Sequence, residues 1–227
     1  MENILWNRLE LIVFDVDGTL YDQSKLRKIM FVRLILYYIL RPYRYNELFI
    51  LYHFRKEREK RAGFRGKNLK DKQYQWCAQK VNEKVEVVRK VIDQWIFNEP
   101  NRYLKRCMYP GVRQFIVDLK VKGIRTAIYS DYDSVNKLEN MQIKVDLEIS
   151  STDERVNSFK PCPDGLLFIL SEMNITNKNN CLYIGDREGL DGSCAEYANI
   201  SFLLVDKGIA AKNFYQKLSK ELINVRN

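Results

Sequence analysis

A chain of 227 residues with 46% hydrophobic and 12% aromatic residues and only five prolines is long enough to bury a substantial core, which excludes a disordered, collagenous or low-complexity protein. Five cysteines, odd in number and with no pair at zinc-knuckle spacing, argue for a reduced intracellular chain rather than a disulfide scaffold. The net charge of +9 is unevenly held: residues 25–110 carry 22 Lys or Arg against 8 Asp or Glu and the remainder 16 against 21, so a basic insert interrupts an acidic body.

The opening residues MENILWNRLELIVFD place Glu2, Arg8 and Glu10 where a secretory signal needs an unbroken apolar centre, so a cytoplasmic location is expected. LELIVFD, residues 9–15, is nearly continuous in β-branched and large apolar types and stops at a carboxylate before a glycine, which predicts a buried strand. From about 24 to 107 the texture is helical throughout. Leu34, Tyr38, Tyr45, Leu48, Phe49 and Tyr52 keep three-to-four spacing, and Cys77, Val81, Val85, Val88, Ile92 and Trp95 keep it over five turns. The most apolar stretch, residues 29–40, contains Arg33 and is too short to span a bilayer.

At Tyr109-Pro110-Gly111 the pattern changes. Val112, Phe115, Ile116 and Leu119 mark a helix face that Gly123 closes. Strands are predicted at 124–130, 146–151, 181–185 and 200–205, with helices over 134–141, from Asp164, through Ala195 and Ala198, and finally to the chain end. Alternation of this kind implies right-handed crossovers. The expected fold is α/β, a doubly wound, mostly parallel sheet formed by residues 1–23 and 108–227, with an all-helical insert over 24–107.

In such sheets functional groups gather just past the carboxyl ends of the strands. Asp15, Asp17, Gly18 and Thr19 follow the first strand, Ser130 and Asp131 the second, Lys160 the loop after the third, and Asp186 and Asp191 the fourth. Each has a plain structural alternative: solvated aspartates in a Gly turn, a turn serine, a solvated lysine, or a carboxylate capping a helix. Their joint occurrence at four strand ends points to one crevice.

DVDGT, AIYS, KPCP and GDREGLD, in that order, resemble the four motifs of the haloacid dehalogenase superfamily, and the resemblance covers residues 9–23 and 109–206. The insert resembles that family's cap domain in position and helical character. The resemblance implies a Rossmann-like core and a hydrolase of phosphate monoesters. Asp15 is then the nucleophile that forms an aspartyl-phosphate, and Asp17 the acid and base. Ser130, Lys160, Gly18 and Asp131 hold the phosphoryl group. Asp15, Asp186, the Asp17 carbonyl and, nearby or through water, Asp191 hold a metal. A carboxylate at Asp17 sets the chain apart from dehalogenases and ion-pumping ATPases. Because unit charges ~4 Å apart repel by ~4 kcal/mol at an effective dielectric near 20, four acids in one crevice call for a divalent cation. Oxygen donors without a nearby histidine favour Mg²⁺ over zinc.

His53, the only histidine, falls in the insert and is expected to pack or be solvated, and with no second histidine a Ser-His-Asp or Cys-His mechanism is hard to build. Cys162 is expected to pack, Asp22 and Asp133 to cap helices, and Arg187 to form a surface ion pair by default, with contact to a substrate as the alternative. The run Arg55, Lys56, Arg58, Lys60, Arg61, Arg65, Lys67, Lys70 and Lys72 reads either as solvated helix faces or as attraction to a polyanion. The expected partner is a small phosphorylated substrate, with a second acidic group compatible with the insert. The same family's phosphomutases are a near alternative. A binding module docking on nucleic acid or an anionic membrane is the alternative from another class. Nucleic acid is disfavoured, peripheral contact with an anionic membrane stays open, and the oligomeric state is not legible.

Overall fold

The computed structural model of the chain describes residues 4–205 and 213–224. Five strands, β1 (Leu11–Phe14), β2 (Arg125–Ser130), β3 (Leu147–Ser150), β4 (Cys181–Gly185) and β5 (Ser201–Leu204), form one parallel sheet in the order β3-β2-β1-β4-β5. The apolar runs form these strands because both faces of the sheet are covered, which β1 shows most clearly: all four of its residues are buried. Side chains alternate between faces. Leu11 and Val13 pack with α8 (Asp164–Glu172) and α9 (Ser193–Ala198), while Ile12 and Phe14 pack with α6 (Val112–Val121), α7 (Val135–Met141) and α10 (Phe214–Asn224). The chain leaves β1 towards β2 on one side and returns as β4 on the other. That reversal places a crevice beyond the carboxyl end of β1. The expected last helix is present to Asn224, and its continuation to 227 lies outside the described residues.

Between β1 and α6 the chain forms α1 (Gln23–Ile39), α2 (Glu47–Glu59), α3 (Leu69–Val81), α4 (Val85–Ile92), a π-helical turn at Asp93–Asn98 and α5 (Asn101–Cys107). Asp22 starts α1 as expected, its carboxylate accepting the Lys25 amide at 2.9 Å. Asp133 instead holds the turn before α7, accepting the Val135 amide at 3.3 Å. The five-turn face from Cys77 to Trp95 is not one helix. Asn82 takes the left-handed conformation with φ of 54°, and the amides of Asn82 and Glu83 both turn back to the Ala78 carbonyl, ending α3. Asparagine tolerates that conformation better than most residues, so the break is cheap. The spacing survives the break because Cys77, Val88, Ile92 and Trp95 all pack into one cluster.

That cluster is continuous from the sheet into the insert, running through Phe14, Leu20, Tyr21, Leu26 and Leu104. The ends of the insert are tied by the Asp22 amide donating to the Cys107 carbonyl at 2.8 Å. Its far end meets the loop before α8: the Phe159 amide donates to Phe64, the Gly66 amide donates to Asn157, and Arg65 makes a two-pronged contact with Asp164 at 2.6 and 3.0 Å.

Gly165, in the first turn of α8, lies so close to Tyr129 that an added Cβ would collide with its ring. Alanine in place of a helical glycine ordinarily stabilises by ~1 kcal/mol, whereas overpacking a core costs ~1–3 kcal/mol. Gly165→Ala should therefore lower the stability read by urea denaturation by about 1 kcal/mol or more. A stabilised variant would show that the ring swings aside freely.

Candidate active site

The carboxylates at the sheet edge are brought together by the turn after β1. The Asp15 amide extends the ladder to the Ile184 carbonyl at 2.9 Å, and the chain then turns through Gly18, whose φ is +96°. Gly18 is required twice over, since a Cβ there would also strike the Asp186 carboxylate. Asp15 is 1% exposed. One of its oxygens accepts the Thr19 hydroxyl at 3.0 Å and the other the Lys160 ammonium at 2.7 Å. Lys160, wholly buried, also donates to Asp191 at 2.8 Å. Asp191 in turn accepts the Tyr183 hydroxyl and the Arg187 amide, both at 3.1 Å. Asp15, Asp186 and Asp191 each present an oxygen within 4.8 Å of the others.

Burial pushes the Asp15 carboxyl up to about 7; Lys160 and Arg187 oppose the shift, and Asp191 and Asp186 add to it. Lys160 would lose its proton by burial alone, but Asp15 and Asp191 hold its pKa well above the usual lysine value. Three buried carboxylates against one enclosed ammonium leave excess negative charge, and all the donors are oxygen. That set fits a hard divalent cation such as Mg²⁺.

Asp17 does not join this triad through its side chain. Lys137 on α7 reaches its two oxygens at 2.5 and 2.8 Å, and the Tyr21 hydroxyl donates to it at 2.5 Å. Burial would raise the Asp17 pKa, yet Lys137 and Tyr21 outweigh it and hold the carboxyl below its ordinary value. Lys137 was not among the expected site residues. A signal for it exists: Lys137 stands one turn before Met141, on the helix face that α7 buries.

Ser130 is buried at the end of β2, its hydroxyl accepting the Tyr132 amide at 3.4 Å. Asp131 pairs with Arg187. Burial would raise the Asp131 pKa, but Lys160, Arg187 and Arg58 bring it to about 2. Arg187 thus spans the mouth, also 3.9 Å from Asp186 and Asp191, rather than forming an isolated surface pair. From the insert, the buried Arg58 donates to the Asp131 carbonyl at 2.7 Å and lies over the rings of Tyr132 and Phe159. Sequence spacing counts Arg58 as one of nine bases; packing makes it a wall of the site. Cys162 donates to the Gly63 carbonyl at 3.1 Å, a packing role as expected, and His53 lies against Tyr52. Asp17, Asp131, Lys137, Lys160 and Arg187 floor a cavity of about 630 Å³, roofed by Leu26, Met30, Leu34 and Trp95 of the insert.

Residues 9–199 match the family described as haloacid dehalogenase-like hydrolase. No match is found among curated proteins. Among solved structures, a 2-haloacid dehalogenase from Pseudomonas syringae pv. Tomato is similar at 14% identity and TM-score 0.63, over 95% of this chain and 98% of that one. A HAD-type hydrolase from Bacillus subtilis, solved bound to magnesium, is similar at 14% identity and TM-score 0.60, over 93% and 99%. A HAD phosphatase from Thermococcus onnurineus is similar at 17% identity and TM-score 0.56, over 88% of each chain. At these identities the likeness to the solved structures is one of fold. With the family match over most of the chain and five parallel strands presenting its motifs at one edge, this chain belongs to the haloacid dehalogenase-like hydrolases.

Proposed function

We propose that the chain is a Mg²⁺-dependent phosphatase that hydrolyses a phosphate monoester through an aspartyl-phosphate on Asp15, with residues 24–107 acting as a cap over the site. The observation that carries this reading is the buried group of Asp15, Asp186, Asp191 and Lys160 at the sheet edge, with Asp17 held beside it by Lys137. Asp15 attacks phosphorus through a carboxylate oxygen, the ester P–O bond breaks, and Asp17 delivers a proton to the leaving oxygen. Water then attacks phosphorus, Asp17 takes its proton, and inorganic phosphate and free Asp15 are restored. Lys160, the Ser130 hydroxyl and the amides of Gly18 and Asp131 hold the phosphoryl oxygens through both steps. When bound, Mg²⁺ would be held by Asp15, Asp186 and the Asp17 carbonyl, with Asp191 beside it, and would supply positive charge that favours ionised Asp15 and offsets charge developing on the phosphoryl oxygens. Lys137 keeps Asp17 anionic in the free site, and an arriving phosphate dianion raises its proton affinity.

Within the basic run of the insert, several charges already have partners. Lys60 and Arg61 pair with Glu57, Arg65 with Asp164, and Arg58 is stacked between two rings. This supports an enzyme over a module that docks on nucleic acid through that run.

Asp15→Asn should abolish turnover of p-nitrophenyl phosphate while leaving the melting temperature at about pH 4, where Asp15 is protonated in the folded wild type, close to the wild-type value; activity above background would remove Asp15 as nucleophile. Asp17→Asn should lower kcat by about 10²–10⁴-fold and let phosphoenzyme accumulate, since acid-base catalysis contributes that much. Lys137→Met removes the ammonium that holds Asp17 ionised, so the acidic limb of the kcat profile should move to higher pH; an unmoved limb would dissociate Lys137 from Asp17.

The metal-free protein offers a test that needs no turnover. Folded Asp15 keeps its proton up to about 7, while the unfolded chain releases it near 3.8. The folded state therefore binds more protons between those values, and stability falls as pH rises through that window. The melting temperature in EDTA should decline across it. Mg²⁺ should flatten the decline, and Asp15→Asn should remove it; an unchanged slope in the variant would assign the titration to another group.

A further inference from the structure

Helix α1 is apolar on both sides. Leu26, Met30 and Tyr38 face inward and are buried, while Phe31, Val32, Ile35, Leu36 and Ile39 face outward at 43–69% exposure. The apolar surface continues through Leu40, Tyr43 and Phe49 into α2. Eleven of the 21 exposed large apolar side chains among the described residues fall between Phe31 and Tyr52. Exposed large apolar side chains concentrated in one helix and the segment that follows it, rather than scattered singly, mark a docking surface.

Charge selects the occupant. From Gln23 to Asn46 the chain holds six Lys or Arg and no acid. Arg33 and Arg44 pair with Glu99 and Glu47, but the exposed Arg27, Lys28 and Arg41 form no ion pair among the described residues. A second copy meeting this face would bring like charge to like charge. Outward aliphatic side chains flanked by bases and by Tyr43, Tyr45 and Tyr52 match the boundary of an anionic bilayer. No helix among the described residues is long and apolar enough to cross a membrane, so contact would be peripheral.

The cavity over the active site reaches the same face. A second space of about 340 Å³ between α1 and α2 shares Met30, Leu34, Arg55, Glu59, Trp95 and Ile96 with it and extends to Tyr52 and Lys56. Phe31 lines the main cavity and is 64% exposed on the outer face. A groove with Met30, Leu34, Trp95 and Ile96 on its walls and Arg55 and Glu59 beside them therefore runs from Asp17 and Lys160 to the rim of the exposed patch.

We propose that this face of the insert docks on an anionic lipid bilayer and that the groove takes the hydrocarbon chain of an amphiphilic phosphate monoester. The second half rests on the phosphatase reading above; the first does not. The test combines vesicle flotation of the full chain with ester hydrolysis. The protein should float with phosphatidylcholine vesicles containing phosphatidylglycerol, weakly with phosphatidylcholine alone, and less at high salt. Ile39→Ser/Leu40→Ser, at sites that do not line the groove, should weaken flotation by about tenfold with melting temperature and p-nitrophenyl phosphate hydrolysis unchanged. Octyl phosphate should exceed glycerol phosphate in kcat/KM by about tenfold, as burial of a hydrocarbon chain requires. Absence of flotation with the mixed vesicles overturns the docking surface, and so does a dimer in sedimentation equilibrium that the double variant dissociates. Hydrolysis of p-nitrophenyl phosphate without preference for octyl phosphate overturns the amphiphilic substrate and leaves the phosphatase reading standing. No hydrolysis of any ester overturns that reading, while flotation still decides docking.

Discussion

The ammonium of Lys160, enclosed between Asp15 and Asp191, is the contact on which the rest of the site depends. Carboxylates ~4 Å apart repel by ~4 kcal/mol even at an effective dielectric near 20, and here three buried ones meet at one strand edge. One buried cation cannot balance them all. What is left over makes a donor set suited to a hard metal ion, while burial raises the proton affinity of Asp15 and the neighbouring acids add to it. The same imbalance suits the crevice to a hard divalent ion.

Around that centre the positive groups sit in two tiers. Lys160 lies at the bottom and acts on Asp15, whereas Lys137 approaches from α7 and acts on Asp17. Two carboxylates two residues apart thus receive opposite treatment: one is pushed towards its neutral form by burial, the other is held ionised by a dedicated lysine. The proton affinities of the two neighbouring acids are thereby set apart by their surroundings and not by their own chemistry. Arg187 and Arg58 form the upper tier, fixing Asp131 and joining the sheet edge to the insert.

The insert shares its apolar cluster with one face of the sheet and is held at the far end by Arg65 and Asp164. Its inner residues are therefore part of the core, while the outer side of α1 is left exposed.

Much of this was legible in the residue order. Apolar runs locate the strands to within a residue or two, most plainly the central β1, β2 and β4, because a strand buried on both faces admits little else; the residues just past them include Asp15, Asp131 and Asp186, with Ser130 closing β2 and Lys160 in the loop after β3. The break at Asn82 was hidden because two helices facing one core preserve a single period. Lys137 and Arg58 were hidden for a different reason: a lysine or arginine on a helix reads as solvated unless its neighbours across the fold are known. By itself, the sequence determined the parallel sheet, the helical insert and the acids at the crevice, since these follow from local pattern and from steric rules of connection. Only the tertiary structure decided which bases turn inward, which acid each one governs, and which apolar side chains are left facing outward, because those are settled by contacts between segments far apart along the chain.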